Sequence, residues 1–305
     1  MAEMSDATLE TISQIERVMA EYDQRLTIRQ IYYRLVADHS LENSHNSYKR
    51  IVRILGDARK EGIIEYGAIE DRTREITEND ETDYITPEGH LKRLYDYISK
   101  WDQHYGVPVW DDQPQRVVVM VEKQALQGIF QSVCEGWEVD LMVCKGYPSL
   151  TQQWELTERM KERISHGEDL HLIYFGDFDP SGEDIFTKLP ENLRHEFGIE
   201  MASMVKEALT IDQVEKWGIP AYPAKVTDTR TKGFVEIYGK GMQVELDAIK
   251  PDQLTQMIEH SINRHYDHDI AAEREGLASD NRERIRRVIA SIDTSVLLEE
   301  IDDEY

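Results

Sequence analysis

Cysteine is scarce in this sequence. Its two residues, Cys134 and Cys144, stand in no metal-binding spacing, so we predict two small buried or half-buried thiols and no disulfide. Long apolar runs are missing as well, because no stretch approaches the ~18 residues of a membrane span. Residues 1–20 lack the basic start and the apolar centre of a signal peptide. We therefore expect a cytoplasmic protein that makes no contact with a membrane.

Positive charge is in short supply. The chain has 35 Lys and Arg against 60 Asp and Glu, which gives a formal net charge of −25. Repulsion from phosphates argues against sequence-independent binding of nucleic acid by the chain as a whole. The deficit is uneven, however, because ten Lys or Arg and seven Asp or Glu lie between Arg25 and Arg74, a local balance of +3. The amino-terminal third is therefore where DNA could be tolerated.

What the sequence does contain is enough apolar material for one large domain or two ordinary ones, since 40% of its 305 residues are hydrophobic. A polar, turn-rich segment, WDDQPQ, separates a helical beginning from a region where strand and helix patterns alternate. We predict a helical domain at 1–112, an α/β domain at 113–250, and a helical segment with an acidic tail at 251–305.

The first informative helix lies in LTIRQIYYRLVADH. Thr27 and Gln30 have the spacing of a capping box, so the helix is expected to begin at Thr27. Its apolar face, at helical spacing, comprises Ile28, Ile31, Tyr32 and Leu35. Tyr32 is therefore predicted to point into a core, whereas Tyr33 lies off that face and beside Arg29, four residues earlier.

A second helix is predicted in NSYKRIVRILGDARKEG. Its buried face is expected to comprise Tyr48, Ile51, Val52, Leu55 and Ala58. Lys49, Arg50 and Arg53 lie outside that face and are candidate DNA phosphate contacts. Two short helices followed by the extended IIEYGAIEDRTR indicate a winged helix-turn-helix, although a small helical subdomain with ordinary solvated charges explains the same pattern equally well.

From residue 116 the pattern is typical of a parallel sheet. The apolar runs RVVVMVEK, DLMVCKG and HLIYFGDFD read as strands buried on both faces, and Ser149 with Gln152 opens a helix between the second and the third. Such an alternation predicts a doubly wound, Rossmann-like α/β fold. In these sheets ligands bind beyond the carboxyl ends of the strands, where the strand order reverses.

Three carboxylates follow the ends of the first and third strands. Glu122 ends the first, and Asp177 and Asp179 project together after the third because residues i and i+2 face the same way. Converging carboxylates repel one another, and Mg²⁺, or Mn²⁺ in its place, relieves that repulsion. The alternative is turn chemistry, in which Asp179 bonds nearby backbone N–H groups and Ser181 caps the following helix.

Two groups of motifs carry a family resemblance. VEKQAL at 121–126 with GDFDPSG at 176–182 resembles the Toprim domain, and RQIYYRL at 29–35 resembles the winged-helix segment of the topoisomerase VI A subunit and the meiotic double-strand-break transesterase. The order of the two domains is that of this family, and the length is closest to its compact phage and bacterial Mini-A-like relatives. The sequence has no Gly-rich ATP-binding motif, so any ATPase would be a separate B-type subunit.

The resemblance implies a mechanism and partners. Tyr33 would attack a phosphate of double-stranded DNA and become linked to it, Arg29 would stabilise the phosphate, and Glu122 would act with the metal held by Glu122, Asp177 and Asp179. A homodimer is implied. Exposed cations in loops beyond the strands, Lys145, Arg230 and Lys232, are weaker candidates for DNA contacts. Two alternatives stay open: a hydrolytic nuclease like the Wadjet nuclease subunit, with the tyrosine dispensable, and a non-catalytic DNA-binding or inhibitory module.

Overall fold

The computed structural model describes residues 4–22, 25–70, 87–223, 230–239, 242–292 and 294. The chain forms two compact units. Unit 1 combines Met1–Arg74 with Gln115–His265, and unit 2 combines Glu75–Pro114 with Tyr266–Tyr305. The predicted boundaries near residues 112 and 250 stay predictions, because compactness alone does not show which segment folds by itself.

Helices and parallel strands make up most of the described chain, which confirms the predicted α/β class. The described helices are α1 (Asp6–Ala20), α2 (Ile28–Ala37), α3 (His45–Lys60), α4 (Pro87–Ser99), α5 (Gln127–Gly136), α6 (Leu150–Ser165), α7 (Pro180–Phe197), α8 (Ile211–Trp217), α9 (Thr231–Tyr238), α10 (Pro251–Asn263) and α11 (His268–Ala290). The strands are β1 (Leu26–Thr27), β2 (Ile69–Glu70), β3 (Gln115–Val121), β4 (Asp140–Val143), β5 (Asp169–Phe175) and β6 (Ser203–Ala208). None of the helices in the described ranges has the length and hydropathy of a membrane-crossing segment.

The main sheet of unit 1 has the order β4-β3-β5-β6, and all its neighbouring strands are parallel. The three predicted apolar runs form β3, β4 and β5. Because β3 lies between β4 and β5, the chain moves to one side after β3 and to the other side after β4, so the strand order reverses between the first and third predicted strands. The fourth strand, β6, was not predicted.

Helices cover both faces of this sheet. On one face, side chains of β3 and β5 such as Met120 and Tyr174 pack with Met160 of α6 and Leu189 of α7. On the opposite face the ring of Phe175 contacts that of Phe130 of α5, with 5.0 Å between ring centroids. The β-branched and apolar runs of the sequence are explained by this burial on both sides.

In the amino-terminal helices of unit 1, the set of buried side chains differs from the predicted set. The Thr27–Gln30 capping box is confirmed. All residues from Gln30 to Val36 are buried, including Tyr33, which was wrongly predicted to lie off the core face. The physical reason is that distant segments cover α2 on its second side. The Arg34 guanidinium donates to the Ala248 carbonyl oxygen, and the ring of Tyr222 lies near that of Tyr33.

The second helix, α3, buries a narrower face than predicted. Ile51, Leu55 and Ala58 are buried as expected, but Val52 is exposed and Tyr48 is only half-buried. After α3, the short strand β2 pairs in parallel with β1 through Leu26 and Ile69. The rest of the predicted wing, from residue 71, lies outside the described residues.

Unit 2 contains α4, α11 and the segment that leads to Pro114. Asp102, which is buried, accepts hydrogen bonds from Arg286 of α11 at 2.8 and 3.0 Å, and Arg274 of the same helix pairs with Asp112 at 2.7 Å. Ion pairs therefore connect the two sequence segments that make up unit 2. The predicted acidic tail lies outside the described residues.

Candidate active site at the carboxyl edge of the sheet

The loops at the carboxyl ends of β3 and β5 approach each other closely. Glu122 follows β3 directly. One glycine in the turn after β5 and one in the first turn of α7 leave room for its side chain and for the backbone. A Cβ atom at Gly176 would lie 2.1 Å from the Tyr174 hydroxyl, and one at Gly182 would lie 2.2 Å from the Asp177 carbonyl oxygen. Glycine is therefore required at both positions by close packing.

Glu122 is a buried carboxylate held by two donors. Its Oε2 atom accepts a hydrogen bond from the Tyr174 hydroxyl at 2.8 Å and one from the Asp177 backbone N–H at 3.1 Å. Burial raises the pKa of Glu122 and the charge of Asp179 raises it further, while the Tyr174 hydrogen bond opposes both. An ionised Glu122 is thus costly at this place, which is typical of a functional carboxylate.

Asp177 and Asp179 have different partners. Asp177 Oδ1 accepts from the Leu246 N–H at 2.8 Å and lies 3.1 Å from the Lys123 ammonium. Burial raises the pKa of Asp177, against the effect of Lys123. Asp179 is the N-cap of α7 and accepts from the Gly182 N–H at 2.7 Å. The predicted turn chemistry is therefore present, but Asp179 makes the cap, and the role considered for Ser181 is wrong because Ser181 lies inside the helix.

Two acidic residues that were not predicted reach the same place. Phe178 and Val244 exchange backbone hydrogen bonds of 2.9 Å, and this pairing brings the segment 244–247 against the turn after β5. Lys123 Nζ lies 3.1 Å from Glu245 Oε2 and 2.7 Å from Asp247 Oδ2. The acid-x-acid spacing in VELD, the same as in DFD, was a signal that could have found this pair.

Arg29 joins the helix α2 to this group of charges. Its guanidinium forms an ion pair with Glu245 and lies over the ring of Tyr48, 4.9 Å from the ring centroid. Burial on its own raises the pKa of Glu245, but the Lys123 ammonium and the Arg29 guanidinium outweigh it and hold that pKa at about 2. Glu245 therefore links the two cations.

Glu245→Gln is expected to change the acid stability of the protein. Because the folded-state pKa lies below the ordinary value of 4.5, the ionised side chain stabilises the fold fully above pH 4.5, and this contribution is lost as the pH falls through about 2. The variant should be less stable than the parent by about 1–3 kcal/mol at pH 7, and the difference should shrink at pH 3. Thermal unfolding at both pH values measures it.

The control for this experiment is Glu196→Gln on α7, where the side chain is exposed. It should change the melting temperature little at either pH. A Glu245→Gln variant with a constant stability deficit from pH 7 to pH 3 would contradict the assignment.

A cluster of tyrosines stands beside these charges. The Tyr33 ring is 5.2 Å from that of Tyr32 and 6.3 Å from that of Tyr222, measured between centroids. The Tyr32 hydroxyl lies 3.1 Å from both the Asn43 Oδ1 atom and the Ser44 carbonyl oxygen, and it accepts from the Ser44 N–H at 2.9 Å. Tyr32 therefore has a structural role at the start of α3.

The Tyr33 phenol is only 2% exposed. Burial raises its pKa above the ordinary value of 10, the charge of Glu245 and the neighbouring phenol of Tyr222 raise it further, and Arg29 lowers it. As the side chain stands, the hydroxyl is protonated, and Arg29 is the group that favours its ionisation.

One cavity of about 870 Å³ in unit 1 brings most of the predicted catalytic residues together. Its lining includes Arg29, Tyr33, Asp177 and Asp179, and the unpredicted Glu245 also lies on its wall. Glu122 is not among the residues that line the cavity, but its carboxylate accepts a hydrogen bond from the backbone N–H of Asp177, which is. The arrangement places a hydroxyl, a guanidinium and carboxylates around one space.

The predicted DNA contacts lie on the surface at several places. Lys49, Arg50 and Arg53 are exposed on α3. Lys145 is exposed after β4, and Lys232 is exposed in the first turn of α9. Arg230 contacts the start of α7, with its guanidinium 3.4 Å from the Ser181 hydroxyl and 3.8 Å from Asp184.

The carboxylates suit a hard cation by their chemistry, since Mg²⁺ and Mn²⁺ prefer oxygen ligands. Glu122, Asp177 and Asp179 each use one oxygen in the hydrogen bonds above. Within the described ranges, however, no three Asp, Glu, His or Cys side chains are close enough together to hold a metal ion, and these three carboxylates are no exception. A nearby buried acceptor, Asp247 Oδ1, has no hydrogen-bond partner. Metal binding at this edge stays a prediction.

No protein-family model matches the chain, and no curated protein is significantly similar to it.

Proposed function

We propose that the protein cleaves strands of double-stranded DNA, with Tyr33 as the nucleophile and with Mg²⁺ or Mn²⁺ held by Glu122, Asp177 and Asp179. In this proposal α1–α3 serve as a winged-helix domain and the β3–β6 sheet with its helices serves as a Toprim domain. The observation that supports it is the single cavity that Tyr33 shares with Arg29, Asp177 and Asp179.

The residues of the cavity have distinct roles in this reaction. The Tyr33 oxygen attacks the phosphorus and gives up its proton, and a tyrosyl–phosphate bond forms. The bond from phosphorus to a deoxyribose oxygen breaks, and that oxygen leaves as a hydroxyl after taking up a proton. Arg29, held in place by Glu245, neutralises the non-bridging phosphate oxygens as negative charge moves onto them. A bound divalent cation supplies further neutralisation of the phosphate.

Hydrolysis by water is the second candidate. It is favoured by the burial of Tyr33 and the raised pKa of its phenol, because a protonated, covered hydroxyl is a weak nucleophile. In this version the same carboxylates would hold the cation, and the oxygen of a water molecule bonds to the phosphorus. The bond from phosphorus to a deoxyribose oxygen breaks, and that oxygen leaves as a hydroxyl with a proton from the water.

Supercoiled plasmid distinguishes these reactions from DNA binding alone. The protein is incubated with plasmid and Mg²⁺, with and without EDTA, and the products are denatured and tested for protein attached to DNA ends. Cleavage that requires the metal and leaves attached protein supports the tyrosine route. Metal-dependent cleavage without attachment supports hydrolysis, and an absence of cleavage at every metal concentration contradicts both.

The exposed cations of α3 are expected to bind DNA phosphates. Lys49→Glu combined with Arg53→Glu should lower affinity at least about tenfold at low salt and reduce the salt dependence by about two counterions, because phosphate contacts release counterions. Fluorescence anisotropy with duplexes of unrelated sequence measures both effects. Reversal of Arg159 and Lys161 on α6, which are 70% and 54% exposed, is the matched control. Equal loss in the two variants would contradict a specific role of α3.

The resemblance also makes a homodimer and a separate B-type ATPase subunit part of this proposal. Light scattering of the purified chain measures its mass in solution. A mass of twice 35.6 kDa supports the dimer, and a mass that stays at the monomer value at all concentrations contradicts it.

A further inference from the structure

The Lys123 ammonium is surrounded by carboxylates. Its ammonium nitrogen lies 3.1 Å from Asp177 Oδ1, 3.1 Å from Glu245 Oε2 and 2.7 Å from Asp247 Oδ2, so three different carboxylates surround one positive charge. The lysine side chain is only 20% exposed. Hard divalent cations use similar oxygen ligands at about 2.0–2.6 Å, so a contraction of roughly 1 Å would convert this arrangement into a cation site.

The balance of charges gives Lys123 a clear electrostatic effect. The acidic side chains of the site are Glu122, Asp177, Asp179, Glu245 and Asp247. Arg29 and Lys123 carry the opposite charge, so the five negative and two positive side chains give the site a net formal charge of −3. One divalent cation reduces this to −1. Without the lysine charge, one bound divalent cation would leave a net formal charge of −2 at the site, and this charge would attract a second divalent cation.

Asp247 adds an independent observation. The residue is only 1% exposed, its Oδ2 atom contacts Lys123, and its Oδ1 atom is a buried acceptor without a hydrogen-bond partner. An unpaired buried carboxylate oxygen is costly, and a cation ligand is one of the few roles that compensates it.

We propose that Lys123 is a tethered cation, meaning a side-chain charge that fills a second divalent-cation position formed by Asp177, Glu245 and Asp247. The inference rests on the proposed function, because it makes the enzyme a one-metal enzyme whose second cation is part of the chain. Lys123 acts as a positioning residue: it holds Asp177 and Glu245 in place, and Glu245 in turn holds Arg29.

The test counts bound Mn²⁺ on the full chain by electron paramagnetic resonance and calorimetry. Lys123→Met removes the charge and keeps most of the volume, and it should raise the number of bound ions by one relative to the parent, from one to two. Lys123→Arg should keep the parent number. Lys206→Met is the matched control, since Lys206 is also buried beside the site but contacts a single carboxylate, Glu183, at 2.6 Å. It should add no ion.

The outcomes separate this inference from the proposed function. If the parent binds no ion and Lys123→Met binds one, the tethered cation is supported and the metal-dependent function is overturned. If Lys123→Met binds no more ions than the parent, the tethered cation is overturned. Should Lys123→Met unfold in EDTA, millimolar Mn²⁺ is expected to restore its melting transition, and failure to restore it would also overturn the inference.

Discussion

Tyr33→Phe is expected to abolish the attachment of protein to DNA ends and to reduce cleavage to background, while DNA binding and metal binding persist. The substitution removes only the hydroxyl that is proposed to attack the phosphate. The folded state should lose little, about 0.5–1.5 kcal/mol, because only the hydroxyl is removed and the ring keeps its packing against Tyr32 and Tyr222. Denaturing gels of plasmid products measure attachment and cleavage together.

Tyr32→Phe is the matched control, and the structure predicts the opposite pattern for it. The Tyr32 hydroxyl accepts from the Ser44 N–H, so its removal leaves that donor unsatisfied and should cost about 1–3 kcal/mol of stability, with cleavage retained. Should Tyr33→Phe cleave as well as the parent, water is the nucleophile and the tyrosine route is wrong.

Asp177→Asn is expected to eliminate cleavage and to weaken metal binding without loss of stability at neutral pH. Burial raises the pKa of Asp177, so the folded protein favours the protonated side chain and disfavours the ionised one. The parent protein therefore loses stability as the pH rises above the ordinary value of 3.8 and Asp177 ionises. The neutral amide avoids that loss and still offers an oxygen to the Leu246 N–H. Its stability should therefore be within about 1 kcal/mol of the parent or higher.

The measurement is a pair of assays, plasmid cleavage and thermal unfolding at pH 5 and pH 8. The variant should gain stability relative to the parent at the higher pH, where more of the parent's Asp177 is ionised. Asp184→Asn on α7 is the control, since Asp184 pairs with Lys188 on the surface. Undiminished cleavage by Asp177→Asn would eliminate every metal-dependent mechanism that uses this carboxylate.

Much of the fold followed from local patterns. The capping boxes at Thr27 with Gln30 and at Ser149 with Gln152 were both predicted and are both present, because each joins atoms only three residues apart. The apolar runs at β3, β4 and β5 were recognisable because a strand buried on both faces has no polar side. The strand β6 was missed, since its residues are mostly half-buried and the run SMVKEA is partly polar.

The candidate site was predicted only in part. Asp177 and Asp179 could be found because they follow a clear strand, and Arg29 and Tyr33 because they share a helix. Glu245 lies 122 positions after Lys123, and no periodicity connects them. Their ion pair depends on the Phe178–Val244 pairing, which only the folded chain produces.

The sequence by itself determined the helices, the buried strands and the presence of acid-x-acid pairs, because these depend on hydrogen bonds and side-chain directions within a few residues. Only the tertiary structure decided which charges meet. It buried Tyr33 beside Tyr222 and surrounded Lys123 with three carboxylates. The strength of an ion pair depends on distance and on exclusion of water, and neither is set until distant segments pack together.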